Sequence, residues 1–366
     1  MALLSALILI ILDHSCAIPN WNANYLAMDN CTVDSLNRLQ NRRDNTLRIH
    51  IRSLLMMQKT VNRLTIAVAV AMFFAAIFVL YRELENTRLI DVVGSLEALP
   101  KTRVILALAL TAASYLLLTG YDFLALSYAD HKLPSRETLF ASFISFTFSN
   151  NLGFALMSGS SVRYWIYTGF GLHPVEIGEV VAFCTLTYAL GVTTVGGLMI
   201  LLDPAGMSSI LKLPQPLLLA AGIAMLAVGV AYLVVLVARR GPIALWHYQL
   251  RLPSLGCGLM QFAVASLDQA LAAGVVYVLL PPETQISFHQ FLGVYVIATP
   301  ISLLSLVPGG LGVFETMVVA LVPSTSKAAL LGSLIAYRLI YFVLPLALAI
   351  LLVAIYEMRR SSHGSD

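Results

Sequence analysis

The sequence predicts an all-α polytopic membrane protein with about six transmembrane helices and two re-entrant helical hairpins. Three observations predict it. Of 366 residues, 59% are hydrophobic and only 11% charged, with a mean hydropathy of +0.84, which leaves too little polar surface for a soluble protein of this size. The apolar residues fall in blocks long enough to cross a bilayer. Two further apolar regions are interrupted by Asn, Ser, Gly and Pro, and such backbone survives at membrane depth only where protein or a water-filled cavity satisfies it. Water-soluble enzymes and nucleic-acid binders are therefore poor starting classes. The balance of 22 Lys and Arg against 19 Asp and Glu, a net +3, is too slight to imply a polyanion partner.

In chain order, MALLSALILIIL opens the sequence. It is too short to span and lacks the preceding basic residues of a secretory signal. Residues 13 to 60 are polar and Asn-rich, becoming basic through Arg38, Arg42, Arg43, Arg48, Arg52 and Lys59, as expected of a juxtamembrane flank. Residues 1 to 60 thus read as an extension, 61 to 358 as the membrane domain and 359 to 366 as a short cytoplasmic tail. Apolar blocks of spanning length occupy 64 to 81, 104 to 129, 175 to 202, 216 to 238, 255 to 279 and 328 to 356. The broken regions are 138 to 170, interrupted by SNNLGFALMSGSS, and 288 to 322, interrupted by SLVPGGLG.

Charge placement tests how the broken regions sit. If each crossed once, Arg239, Arg240 and Arg251 would face away from the basic N-terminus. If each enters and returns, the residues from Arg38 to Arg63, Lys132, Arg136, Arg163, Arg239, Arg240, Arg251, Arg359 and Arg360 share the cytoplasmic side or its membrane edge. The positive-inside rule therefore favours six full spans, two hairpins and both termini in the cytoplasm. One hairpin in each half, entering from opposite faces, matches the inverted-repeat pattern of transporters.

At the broken segments the sequence resembles the transmembrane flippase region of the bacterial lysylphosphatidylglycerol synthase/flippase family, often called multiple peptide resistance factors. The matching stretches are TGYDFLAL (119 to 126), ASFISFTFSNNLGFALMSGSSVRYWIY (141 to 167), VVAFCTLTYALG (180 to 191) and ISLLSLVPGGLGVFE (301 to 315), within a resemblance covering about residues 65 to 356. The resemblance implies a membrane region that moves aminoacylated phosphatidylglycerol, lysyl-phosphatidylglycerol above all, from the inner to the outer leaflet of the bacterial cytoplasmic membrane. There the cationic head group reduces attraction of cationic antimicrobial peptides. Family members carry a cytoplasmic aminoacyl-transferase domain as well. This sequence ends at Asp366 after MRRSSHGSD, so no transferase activity is expected of it. The expected partners are a phospholipid substrate and a separate aminoacyl-transferase, with no nucleic acid bound by the chain and a homo-oligomer left open. The alternatives are a membrane subunit of a synthase and a small-solute or ion transporter.

A charged or zwitterionic head group needs a polar route with counter-charges of both signs. Asp122, in TGYDFLAL, is either a helix-terminal structural residue or a carboxylate for an amino group. Asp268, in AVASLDQALAAG, stands nearer the middle of its span, where a carboxylate is a functional candidate by default, the alternative being a structural pair with a neighbouring helix. Arg163, in SGSSVRYW, is either a phosphate clamp or a snorkelling anchor. Asn150, Asn151, Ser158, Ser160 and Ser161 are expected to line the same cavity or to cap the half-helices. Pro308, Gly309, Gly310 and Gly312 permit a tight reversal, which is either a packed helix break or, as the resemblance implies, a gate whose half-helix N–H groups point at an anion. Glu315 is a candidate partner for Arg338 in SLIAYRLIYF. Tyr164, Trp165, Tyr167, Tyr188, Tyr337 and Tyr341 flank the lipid or form an interfacial belt. Cys16, Cys31, Cys184 and Cys257 show no paired spacing, and the seven histidines form no metal motif. No cofactor, metal or catalytic residue is expected.

Overall fold

A computed structural model of the chain describes residues 99 to 363 except 132, 153–154, 239–242, 246–247, 251, 306 and 325, and the side chains among them except 152–161, 239–251, 308, 357 and 359–363. The expected span at 64 to 81 and the extension before it lie outside the described residues. The remainder is all-α apart from one small β-hairpin, and the chain is a polytopic membrane protein. Among the described residues, five helical rods are long and apolar enough to cross a membrane. Four are α1 (Lys101–Tyr128), α4 (Pro174–Leu202), α6 (Gln215–Ala238) and α7 (Leu255–Leu279). The fifth joins α10 (Lys327–Arg338) to α11 (Leu344–His363) through a π-helical turn, Leu339–Val343. Each lies within three residues of a span expected from hydropathy, except that α11 runs past the boundary expected at 358.

The exposed side chains agree with lipid as solvent. Along α6, Ile223, Val228, Val230, Val234 and Val237 are all more than half exposed, an apolar stripe that a water-soluble monomer would not carry. Helix contacts, in turn, are made through small residues that let backbones approach. A Cβ on Gly191 of α4 would lie 2.7 Å from Ala265 Cβ of α7, and one on Gly197 would lie 2.9 Å from the Gly222 carbonyl of α6.

Both interrupted regions fold as helical hairpins. The first is α2 (Ser135–Leu152) with α3 (Ala155–Gly169). The second is α8 (Phe288–Leu304), a 3-10 turn at Pro308–Gly310 and α9 (Val313–Leu321). At 1.5 Å per residue none of these limbs exceeds about 27 Å, short of a core of about 30 Å. Contacts between helix ends fix the directions. Arg103 at the start of α1 donates to the Leu280 carbonyl after α7 at 2.9 Å. Asp203, after α4, meets His289 and Gln290 at the start of α8. His131, after α1, lies 3.5 Å from Glu176 at the start of α4. The end of α1 and the start of α4 therefore share one side, where the first hairpin enters. The ends of α4 and α7 share the other, where the second enters. The order long helix, hairpin, long helix thus occurs twice, with α6 between.

The corner after α4 is built around Asp203, which the sequence reading did not single out. It caps α5 (Pro204–Leu211) by accepting the Gly206 N–H at 2.9 Å, and it accepts the Gln290 amide at 2.7 Å. The Gln290 amide above all, then the Gly206 N–H and His289, hold the Asp203 carboxyl below the usual carboxylate range. A lowered folded value means that this contribution is complete above about pH 4 and is lost as pH falls through that value. Asp203→Ala is expected to cost about 1 kcal/mol, the usual loss for an N-cap, and to remove that part of the acid-induced fall in melting temperature. Thermal unfolding of the detergent-solubilised chain across that pH range checks both.

Candidate functional site

Where the hairpins meet, the structure leaves a cavity of about 370 Å³ whose mostly apolar wall carries a small set of polar and charged groups. The tips touch directly. A Cβ on Gly309 would lie 3.4 Å from the Asn151 carbonyl and 3.6 Å from that of Asn150. Gly309, Gly310 and Gly312 all adopt positive φ, from 60° to 79°, the left-handed region in which a side chain is disfavoured. Gly310 also needs its missing side chain for space, because a Cβ there would sit 2.5 Å from Ser302 Oγ.

Arg163, Asp268, Arg338, Asn150, Gly309 and Gly310 all contribute to the cavity wall, although they come from four different helices and the turn. Asp122 and Glu315 stand behind the two arginines, off the wall. Pro308 opens the turn, and the side chains of Ser158, Ser160 and Ser161 lie outside the described set.

The Arg163 guanidinium is 5% exposed and Asp122 not at all. Arg163 Nη2 lies 3.0 Å from Asp122 Oδ1 and 3.1 Å from Oδ2, while the Cys184 thiol points at Oδ1 from 3.5 Å. The ring of Phe146 lies 4.5 Å from the guanidinium carbon, a cation–π distance. Arg163 therefore does not snorkel to the cytoplasmic edge, where charge counting placed it. It turns inward because a buried carboxylate awaits it. Asp122 is correspondingly not free to meet an amino group, since both its oxygens are engaged.

At the second hairpin, Arg338 Nε donates to Glu315 Oε1 at 2.6 Å, Nη1 donates to the Gly309 carbonyl, and Nη2 donates to the Gly310 carbonyl at 3.2 Å. Phe342 lies 4.6 Å beneath the same guanidinium. Glu315 Oε2 accepts the Gly312 N–H at 2.8 Å. The half-helix N-terminus expected to face an anion is thus already occupied by its own carboxylate, which favours the helix dipole and disfavours a phosphate at that spot. The anion-binding capacity on this side rests in the remaining Arg338 N–H groups.

Asp268, 6% exposed, differs from the other two acids. It accepts Ser114 Oγ–H at 3.0 Å and the Tyr121 hydroxyl at 3.3 Å, and among the described residues no cation lies in ion-pair contact with it. Tyr341 OH lies 3.0 Å from Ser114 Oγ, so with the serine proton directed at Asp268 the tyrosine donates to the serine. Tyr341 belongs to the π-helical turn, which interrupts what hydropathy presented as a continuous span. The backbone carbonyls of that turn find side-chain donors, Tyr115 OH to Tyr341 O at 3.1 Å and Asn151 Nδ2 to Phe342 O at 3.3 Å. Asn151 is accordingly a clasp between hairpin and span, whereas Asn150 faces the cavity.

Several contributors were missed in the sequence. Ser114 and Gln269 carry no motif, and Tyr121 was quoted within TGYDFLAL without being singled out. Helical spacing offered a signal for Ser114, which shares the α1 face seven residues before Tyr121, whereas Gln269 is only the chain neighbour of Asp268.

No family model matches the chain. It is 36% identical over 307 residues to the Synechocystis protein slr0712, covering 82% of this chain and 95% of that protein. It is 28% identical over 254 residues to the inner membrane protein YbhN of Escherichia coli, covering 69% and 79%. More distantly, it is 22% identical over 300 residues to the phosphatidylglycerol lysyltransferase of Staphylococcus aureus, covering 80% of this chain but 34% of the lysyltransferase. The chain therefore spans about a third of that enzyme's length.

Proposed function

We propose, for a chain that belongs to the same family as the Synechocystis protein slr0712, that the cavity carries the head group of a phospholipid between the leaflets of the bacterial cytoplasmic membrane. Aminoacylated phosphatidylglycerol, and lysyl-phosphatidylglycerol first, is the substrate. The observation that carries this reading is the charge pattern of the cavity, with two arginines already neutralised by carboxylates behind them and one carboxylate, Asp268, that has no cation among the described residues. An intramembrane carboxylate without a cation favours a ligand that brings one. The arginines, each balanced by its own partner, offer remaining N–H groups to phosphate without holding it as two bare cations would. A site for transport has to bind weakly enough to release.

The surroundings suit a lipid better than a free solute. Beside the cavity, an apolar groove of about 810 Å³ runs between α1, α2 and α11, and its wall includes Tyr115, which packs against Tyr341 of the cavity at 5.6 Å. Thr111 and Thr119 line the groove, but each hydroxyl bonds back to its own helix, leaving a surface fit for an acyl chain. The similarity to an inner membrane protein and, over about a third of its length, to a phosphatidylglycerol lysyltransferase supports the same direction. In this reading the α1-end side is cytoplasmic, a separate aminoacyl-transferase supplies the lipid, and export lowers the anionic charge presented to cationic peptides.

Leaflet exchange in proteoliposomes holding the purified chain alone tests the reading. Lysyl-phosphatidylglycerol is expected to exchange faster than in protein-free vesicles and faster than unmodified phosphatidylglycerol. Asp268→Asn, which keeps the shape but removes the charge, is expected to lower the lysylated lipid's advantage about tenfold, as the loss of about 1.4 kcal/mol would. Exchange no faster than in protein-free vesicles, from folded and inserted protein, would refute the proposal.

A further inference from the structure

Resting on the phospholipid reading, a second residue on α7 extends it from charge to head-group identity. Gln269 lines the cavity and is only 3% exposed, yet among the described residues its buried Oε1 has no hydrogen-bond partner. Leaving such a group unmet costs folding free energy, and native cores seldom retain one without a use. The same helix shows how a structural glutamine is treated. Gln261 is fully buried, accepts the Tyr232 hydroxyl at 2.6 Å and donates to Thr187 Oγ1 at 2.8 Å. Both ends of that carboxamide are engaged and it joins three helices, whereas Gln269 joins none.

A carboxamide carries both acceptor and donor, and this matches a hydroxyl, which also does both. An ammonium has donors only and is served by Asp268. A phosphate has acceptors only and is served by the arginines. We infer that Gln269 is a specificity-determining residue of the cavity that reads a free hydroxyl on the head group, so that the site takes lipids carrying phosphate, ammonium and hydroxyl together. Aminoacylated phosphatidylglycerol has all three, because one glycerol hydroxyl stays free after esterification. Phosphatidylethanolamine has the phosphate and the ammonium but no hydroxyl.

The test is competitive binding of alanyl-phosphatidylglycerol and phosphatidylethanolamine, each with one ammonium, to the detergent-solubilised full chain, with bound lipid counted by native mass spectrometry. The wild type is expected to favour the alanylated lipid roughly fivefold, the ratio that one added hydrogen bond supplies. Gln269→Leu is expected to bring the ratio to about one while leaving the melting temperature unchanged or higher, because an unmet polar group is replaced by an apolar one of similar size. A glutamine needed only for structure would do the reverse, lowering the melting temperature and sparing the ratio. Should the leucine variant not fold, Gln269→Asn withdraws the carboxamide by one methylene and is read the same way. A preference that survives substitution, or a wild type that binds both lipids equally, overturns the inference. A wild type that binds neither lipid overturns the phospholipid reading and this inference with it.

Discussion

Asp122→Ala is expected to destabilise the protein by about 3–5 kcal/mol, the loss seen when one partner of a buried ion pair is removed. The charge left behind is the reason. Arg163 is nearly enclosed, its Nε has no hydrogen-bond partner, and Asp122 is the only carboxylate in ion-pair contact with it among the described residues. Without Asp122 the guanidinium would have to stay unpaired or be pulled from the cavity, parting α3 from α1. Denaturant or thermal unfolding of the purified variant measures the cost. The double variant Asp122→Leu with Arg163→Met is expected to recover most of the stability, since apolar replacements of similar size often match a buried pair. It is expected to remain inactive in lipid exchange, because the phosphate contact is gone. Recovery of both properties would make the pair purely structural.

The Asp122–Arg163 pair shows where sequence reading reaches and where it stops. Hydropathy placed the crossing helices closely, because spanning length and composition are properties of contiguous residues. The hairpins were legible from SNNLG and VPGGLG for the same reason, local chemistry that a continuous helix would not tolerate. Asp122 and Arg163 lie 41 positions apart, and nothing in TGYDFLAL or SGSSVRYW says that one faces the other. The sequence left Arg163 open between a phosphate clamp and a snorkelling anchor, and only its burial beside Asp122 bears on the choice. The π-helical turn at Leu339–Val343 does have a local signal, Pro345, which has no N–H for the Tyr341 carbonyl four residues back. That signal was passed over, and what the sequence could not show is that Tyr115 and Asn151 meet the turn's carbonyls from other helices. Gln269 was passed over because glutamine in an apolar helix is unremarkable until its partners are sought and found missing.

Arg338→Ala is expected to cost at least about 3 kcal/mol by the same accounting, since it leaves Glu315 buried beside an empty space and unfastens two turn carbonyls. Here the question is whether Arg338 is a fixed post or a moving gate. Its guanidinium holds one carboxylate and two backbone carbonyls at once, and those carbonyls belong to glycines in left-handed conformations, of which Gly309 touches the first hairpin. Exchanging Glu315 for a passing phosphate would loosen the turn and the hairpin contact together. A fixed post is therefore the reading the geometry favours, with only the spare N–H groups offered to a ligand. Lysine cannot reproduce a three-way planar fork, so Arg338→Lys is expected to lose most of the stability despite keeping the charge. Glu315→Gln separates the alternatives further. It retains an acceptor for the Gly312 N–H but weakens the ion pair. If Arg338 is fixed, this change lowers melting temperature while exchange per folded molecule falls little. If the arginine trades partners during transport, freeing it alters the exchange rate and its dependence on anionic lipid more than it alters melting, and the fixed-post reading fails.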